Sequence, residues 1–202
     1  NMTDNFKLEP LSDTTEMTTE KKTKKSGCFG FFIDTVETIL LAVILFLAIN
    51  AVSARVRVEN VSMKPTLQPG EFLLVNRVAY KWGEPSIGDI VIFHAPGESE
   101  LDYIKRVIGI PGDVVRIEDG TVYINNQALY EPYISAPPSY TGEWIVPIDE
   151  YFVLGDNRNS SSDSHLWGFV PKEDLVGRAL LIYWPLSDFT LLRTPESVQA
   201  IQ

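Results

Sequence analysis

The chain has 202 residues, 17 basic and 27 acidic, and a net charge of -10. That length suits one globular domain with appendages, and the acidic balance excludes nucleic acid as a natural partner, because such binding depends on neutralising phosphates. A single cysteine, Cys28, excludes an intramolecular disulfide framework. With two histidines, His94 and His165, and no CxxC pair, the sequence offers no ligand set for zinc and predicts no metal site.

Residues 1–27 are rich in Thr, Lys, Glu and Asp and poor in large apolar groups, which predicts a disordered tail. Near its end the tail carries KKTKK at 21–25. Residues 28–53 read as a membrane anchor. Within them, VETILLAVILFLAINAV at 36–52 is apolar around the whole helix circumference, which favours lipid over a soluble core. Seventeen helical residues cover roughly 26 Å, and flanking residues extend this towards the ~30 Å bilayer core. Phe29, Phe31 and Phe32 suit the headgroup level, with Asp34 and Glu37 near the same boundary. The stretch NAVSA looks like a signal-peptide cleavage site, but the apolar run is too long and the preceding tail too extended, so an uncleaved anchor is predicted. The positive-inside bias then keeps KKTKK in the cytoplasm and places residues 54–202 on the outer face.

From Ala54 onward there are 12 basic and 20 acidic residues, and the pattern is β. ARVRVENV and DVVRIEDGTVYINNQAL alternate apolar and polar residues, and Asp119-Gly120 in the second is a strong hairpin turn. GEFLLVNRVAY, GDIVIFHAP, LDYIKRVIGI, EYFVLGD and RALLIYWP read as further strands. AYKWGEP and SDSHLWGFVPKEDLVG have room for single helical turns, and APPSYTGEW reads as a proline-rich loop. The expected fold is mainly β: two antiparallel sheets forming one body behind an N-terminal helix.

Three segments carry groups able to do chemistry. In VENVSMKPTL, Ser62 is either a cap after a short strand or a nucleophile exposed at a strand end. In LDYIKRVIGIPGD, strand alternation sets Tyr103, Lys105 and Val107 on one face and Ile104, Arg106 and Ile108 on the other, so one of the two adjacent cations faces inward. Burial lowers a lysine's pKa and makes it a possible base, whereas arginine stays protonated. The plain alternative is two exposed charges on an edge strand. In LGDNRNSSSDSHLWGFVP, Asp156, Asn157, Asn159, Asp163 and four serines bond readily to backbone, and Arg158 is placed to pair with Asp163. Alone, that segment reads as an elaborate turn.

Together the segments resemble the motifs of the bacterial type I signal peptidases, membrane-anchored serine proteases with a Ser/Lys dyad. SMKPTL resembles the nucleophile motif, YIKRVIGIPGD the lysine motif and GDNRNSSSDSHLWGFVP the third, in the family's order and behind an anchor. The resemblance implies Ser62 as nucleophile, Lys105 as general base and Ser161 hydrogen-bonded to the lysine amine. It implies that Gly155, Asp156, Arg158 and Asp163 support that loop. It also implies cleavage of exported, signal-peptide-bearing preproteins after small-x-small sites, without a cofactor, and the secretion translocon as a neighbour. Met63, Leu67, Tyr103 and Ile104 match positions lining the pocket for the residue before the cut; Val58 and Leu73 match positions of the second pocket. His94 is expected in the turn that follows a strand and His165 beyond the serine cluster, each in a surface or loop-bonding role.

Two features depart from the pattern. Many relatives have a serine two residues before the nucleophile that helps hold the oxyanion; here the residue is Asn60, whose amide is the candidate donor beside the Ser62 backbone N–H. The body also lacks the large inserted β-domain of some relatives. The expected location is the cell membrane, with a thylakoid-like membrane left open. Rival readings are a self-cleaving repressor, which would need a DNA-binding domain where the anchor stands, and a catalytically silent anchored module that binds exported peptides.

Overall fold

A computed structural model describes residues 28–194. The predicted tail, with KKTKK, and the last eight residues lie outside the described residues. The chain divides into two units, residues 1–43 and 44–202. The described part of the first is the N-terminal portion of helix α1 (Cys28–Val52). From Phe31 to Val52 this helix is long and apolar enough to cross a membrane, and every residue in that stretch is exposed. Its Thr35 and Thr38 hydroxyls donate back to the carbonyls of Phe31 and Asp34, so these polar groups are satisfied within the helix.

The second unit begins with the last turns of α1 and continues into β. In chain order the elements are β1 (Ser53–Arg57), β2 (Phe72–Asn76), α2 (Ala79–Trp82), β3 (Ile90–Ala95), β4 (Glu98–Gly109), β5 (Val114–Glu118) and β6 (Thr121–Ile124). They continue with β7 (Gln127–Ala128), β8 (Gly142–Ile145), β9 (Glu150–Leu154), α3 (Ser164–Trp167), β10 (Val170–Pro171), β11 (Leu175–Trp184) and β12 (Thr190–Leu191). One sheet runs β1-β2-β11-β3-β4-β9-β10, with β12 added to β11; the other runs β7-β6-β5-β8. All pairings are antiparallel.

Side-chain alternation explains the layering. In β5 and β6, Val115, Ile117, Val122 and Ile124 are buried between more exposed neighbours, and they pack on Ile108, Phe152 and Leu154 of the larger sheet to form the shared core. The hairpin between β5 and β6 turns at Asp119 and Gly120, both at positive φ (48° and 75°), as a two-residue turn matching strand twist requires. The central strands differ. Residues 90–93 of β3 and 151–154 of β9 are buried without a break, so the larger sheet is covered on both faces there. One face carries Val58, Met63, Leu67, Leu73 and Ile92; the other carries Val91, Phe93, Val107, Tyr151 and Val153.

That double cover corrects one expectation: Lys105 and Arg106 are both buried, at 4% and 2% exposure, although they face opposite ways. Three others are refined. Ser62 does not sit at a strand end, because β1 stops at Arg57 and residues 61–67 form a run of turns. The proline-rich loop leads into a strand, β8, which pairs with β5. His94 lies inside β3, not in the turn after it.

Candidate active site

The Ser62 loop is closed at its base by two backbone bonds, Val58 N–H to the Glu71 carbonyl and Gly70 N–H to the Val58 carbonyl, each 2.8 Å. Within it, Lys64 N–H donates to the Val61 carbonyl and Leu67 N–H to the Met63 carbonyl. Met63 and Leu67 are fully buried and pin the loop to the core, which leaves Ser62 half-buried at its crest. The Ser62 N–H has no backbone acceptor among the described residues.

Lys105 comes from β4. Its neighbour on one side is Val91 of β3; on the other, β9 begins pairing only at Arg106, opposite Leu154, so Gly155 falls beside the lysine. Lys105 Nζ is 2.8 Å from Ser62 Oγ and 3.2 Å from the Ile104 carbonyl, and it lies 5.2 Å from the centre of the Tyr103 ring. Burial pushes its pKa down to about 8, opposed by the negative charges of Asp163 and then Asp156. No carboxylate forms an ion pair with it among the described residues. As an ammonium, Nζ donates to Ser62 Oγ. As the neutral amine it can instead accept the hydroxyl proton at the same distance.

The loop after β9 locks onto the Ser62 loop. Asn157 N–H donates to the Ser62 carbonyl at 2.9 Å, and its side-chain amide donates to the Val61 carbonyl at 3.2 Å. Gly155 is required by close approach: a Cβ there would lie 2.3 Å from Ser161 Oγ and 2.5 Å from the Ser62 carbonyl oxygen. Asp156, fully buried, receives both Arg106 Nε (2.8 Å) and Nη2 (2.7 Å) in a bidentate pair, with Thr66 Oγ1 donating to the same carboxylate at 2.5 Å. Arg106 also stacks 4.0 Å from the Tyr133 ring. Asp163 accepts the Gly155 N–H at 2.9 Å and holds His165 Nδ1 at 2.5 Å, while the imidazole stacks on Tyr140 at 3.8 Å. That gives His165 the loop-bonding role expected of it.

Two expected contacts are different. Arg158 does not pair with Asp163; its guanidinium meets Glu131 through two hydrogen bonds and donates to the Gly155 carbonyl at 3.1 Å. Asp163 is already occupied by backbone and His165. Ser161 Oγ is buried against Gly155 but has no hydrogen-bond partner, so the bond to the Lys105 amine is not made in this arrangement.

A cleft of about 510 Å³ opens over Ser62 and Lys105. Val58, Asn60, Met63, Tyr103 and Ile104 line it. Leu67 and Leu73 do not; both are fully buried in the core beneath. Asn60 is exposed, and its side chain makes no hydrogen bond within the described residues. Residues 102–104 of β4 pair with β3 on one edge, while their other edge carries no strand among the described residues and faces the cleft.

Sequence reasoning missed the roles of Arg106, Thr66 and Glu131. The adjacency of Arg106 to Lys105 was a usable signal once both faces were known to be covered. Glu131, 27 residues from Arg158 in an unpatterned stretch, gave none.

Residues 32–184 match the family model described as signal peptidase, peptidase S26. A protein named probable signal peptidase I-2 from Synechocystis sp. is 41% identical over 188 residues, covering 90% of this chain and 86% of the relative. A signal peptidase I from Leptolyngbya laminosa is 42% identical over 175 residues, covering 82% and 86%. A crystal structure of a signal peptidase I from Enterococcus faecalis is 32% identical, covers 48% of this chain and 97% of its own, and has a TM-score of 0.45. With the family model matched over most of the chain and relatives this similar along nearly their whole length, the protein belongs to the signal peptidase family, peptidase S26.

Proposed function

We propose that this chain is a membrane-bound serine endopeptidase that removes signal peptides from exported preproteins after small-x-small sites, through a dyad of Ser62 and Lys105. The observation that carries the dyad is the 2.8 Å contact between Ser62 Oγ and a buried amine that has no carboxylate partner. Neutral Lys105 takes the hydroxyl proton as Oγ attacks the scissile carbonyl, and the resulting ammonium gives it to the leaving amine. The acyl-enzyme is then opened by a water whose proton passes to Lys105 and on to Ser62 Oγ. The Ser62 N–H and the Asn60 amide hold the oxyanion. Ser161 turns to the amine when substrate closes the cleft, and Gly155, Asp156, Arg158 and Asp163 keep its loop in place.

The substrate binds as a strand along the free edge of residues 102–104, gaining backbone bonds that ignore sequence. Specificity then rests on shallow pockets at Val58, Met63, Tyr103 and Ile104, with Leu67 and Leu73 backing them from the core. Residues 1–27 form a cytoplasmic tail, 28–53 the anchor and 54–202 the catalytic domain on the outer face, where the secretion translocon delivers precursors. The test is incubation of the detergent-solubilised chain with a precursor bearing Ala-x-Ala, followed by sequencing of the new N-terminus. Cleavage after the second Ala, abolished by Ser62→Ala with the fold intact, supports the reading; an active Ser62→Ala variant refutes it. Protease added to intact spheroplasts should digest the body and spare the tail, and the reverse pattern refutes the topology.

A further inference from the structure

A second cavity, of about 480 Å³, lies at the end of α1, between α2, β3 and the start of β11. Ala51, one residue before the end of the helix, lines it together with Arg77, Tyr80, Lys81, His94 and Lys172. The chain folds this way for local reasons. Asn76 Oδ1 accepts the Val78 N–H and turns the chain out of β2, while Arg77 N–H donates to the carbonyl of Val52, the last helical residue, at 3.0 Å. Tyr80 Oη donates to Asp89 and ties α2 to the sheet. Arg77 and Lys81, four residues apart in sequence, therefore line the same cavity beside the helix end.

The charges here do not cancel. Lys172 meets Glu84, and His94 Nδ1 meets Asp102 at 2.9 Å. Arg77 and Lys81 are exposed and have no acidic partner among the described residues, in a chain of net charge -10. Next to Lys81, Trp82 is 86% exposed, more than any other large hydrophobic residue described. An indole beside unpaired cations is the composition of a bilayer interface, where aromatic rings sit at headgroup level and basic side chains reach phosphates.

Depth agrees with composition. The 22 residues from Phe31 to Val52 measure about 33 Å as a helix, close to the ~30 Å hydrocarbon core. β1 starts at Ser53 with no linker, and Ala51 in the last turn of the helix lines the cavity, so the cavity adjoins the helix end. We propose that this cavity is a binding site for the phosphate of an anionic phospholipid headgroup, held by Arg77 and Lys81 with Lys172 at its rim and flanked by Trp82. The proposal goes beyond the peptidase reading and rests only on α1 crossing a membrane.

The test uses the full chain in a neutral detergent. Binding of short-chain (dihexanoyl) phosphatidylglycerol, short-chain phosphatidylcholine and inorganic phosphate is measured by thermophoresis. Phosphatidylglycerol should bind at least tenfold more tightly than the other two. Arg77→Gln/Lys81→Gln should weaken it at least tenfold, while Arg116→Gln/Arg193→Gln, an equal loss of charge elsewhere, should change it less than twofold. Circular dichroism and unchanged precursor cleavage in detergent check that the cavity variant is folded, and should it fail to fold, Lys81→Gln alone supplies the same comparison with an expected loss of at least threefold. Equal binding of the two lipids, equal loss in the control variant, or no loss in either cavity variant overturns the proposal. Phosphate binding as tightly as phosphatidylglycerol makes this a free-anion site and overturns the lipid source. Alkaline carbonate extraction of the chain from membranes overturns the anchor and the proposal with it, whereas loss of precursor cleavage in the wild type refutes only the peptidase reading.

Discussion

Lys105 and Arg106 are neighbours in one strand, equally buried, and treated in opposite ways. Arg106 is given a bidentate carboxylate, a carbonyl from Gly88 and an aromatic face, so its charge is fully answered. Lys105 is given a hydroxyl and a carbonyl, with the nearest negative charges held by other partners. Burial with a partner makes a strut; burial without one makes the charged form expensive and leaves a base. The strut also serves the base, because Asp156 and Asn157 are adjacent and Asn157 clamps the Ser62 loop.

Exchanging the two behaviours gives the largest effect. Lys105→Arg keeps the charge but cannot accept a proton, and kcat should fall roughly 10⁴-fold or more in a precursor-cleavage assay; measurable turnover above background would end the lysine-base mechanism. Arg106→Ala should act on stability first. It leaves Asp156 buried and unpaired, and urea unfolding should show a loss of about 3–5 kcal/mol. A shift under 1 kcal/mol would show that the pair is not the strut described.

Asn60→Ala should lower kcat by about 10²–10³ with little change in KM, and Asn60→Ser should stay active because a hydroxyl can replace the amide. Turnover of the alanine variant within threefold of wild type removes Asn60 from the oxyanion site. Ser161→Ala deletes a buried hydroxyl that has no partner in the free protein, so stability should hold while kcat drops roughly 10–100-fold, the worth of one bond to a charged amine. A stability loss with unchanged kcat would make Ser161 purely structural. A further test is pH. The active form is the neutral amine, so with a pKa of about 8 the rate should rise with pH, roughly tenfold per unit below 8, and level above it. A flat profile down to pH 5 would contradict a depressed lysine.

The elements were legible where a local rule acts alone. The Asp119-Gly120 hairpin follows from two residues that tolerate positive φ, and the helix from an unbroken apolar run. The family and the Ser62–Lys105 pair were legible because several fixed positions recur around each motif. What escaped depends on residues distant in sequence. Whether one face of β4 or both would be covered is decided by segments distant in sequence, the turns at 61–67 and the loop after β9, so alternation alone assigned only one cation inward. Arg158 was matched to an acid further along the same segment, but Asp163 was already taken by the Gly155 N–H and His165, and the tertiary fold brought Glu131 instead. Leu67 and Leu73 carry the right chemistry for a pocket wall, yet the turns at 61–67 and the register of β2 point both into the core.

The sheet order has a consequence for timing. The Ser62 loop hangs from β1 and β2, and Lys105 from β3 and β4; these two halves are joined in the ladder by β11, which lies between β2 and β3. The last long strand to leave the ribosome is thus the keystone that brings serine to lysine. A nascent chain still lacking residues 175–184 has both reactive groups but not the strand that joins their two halves of the sheet.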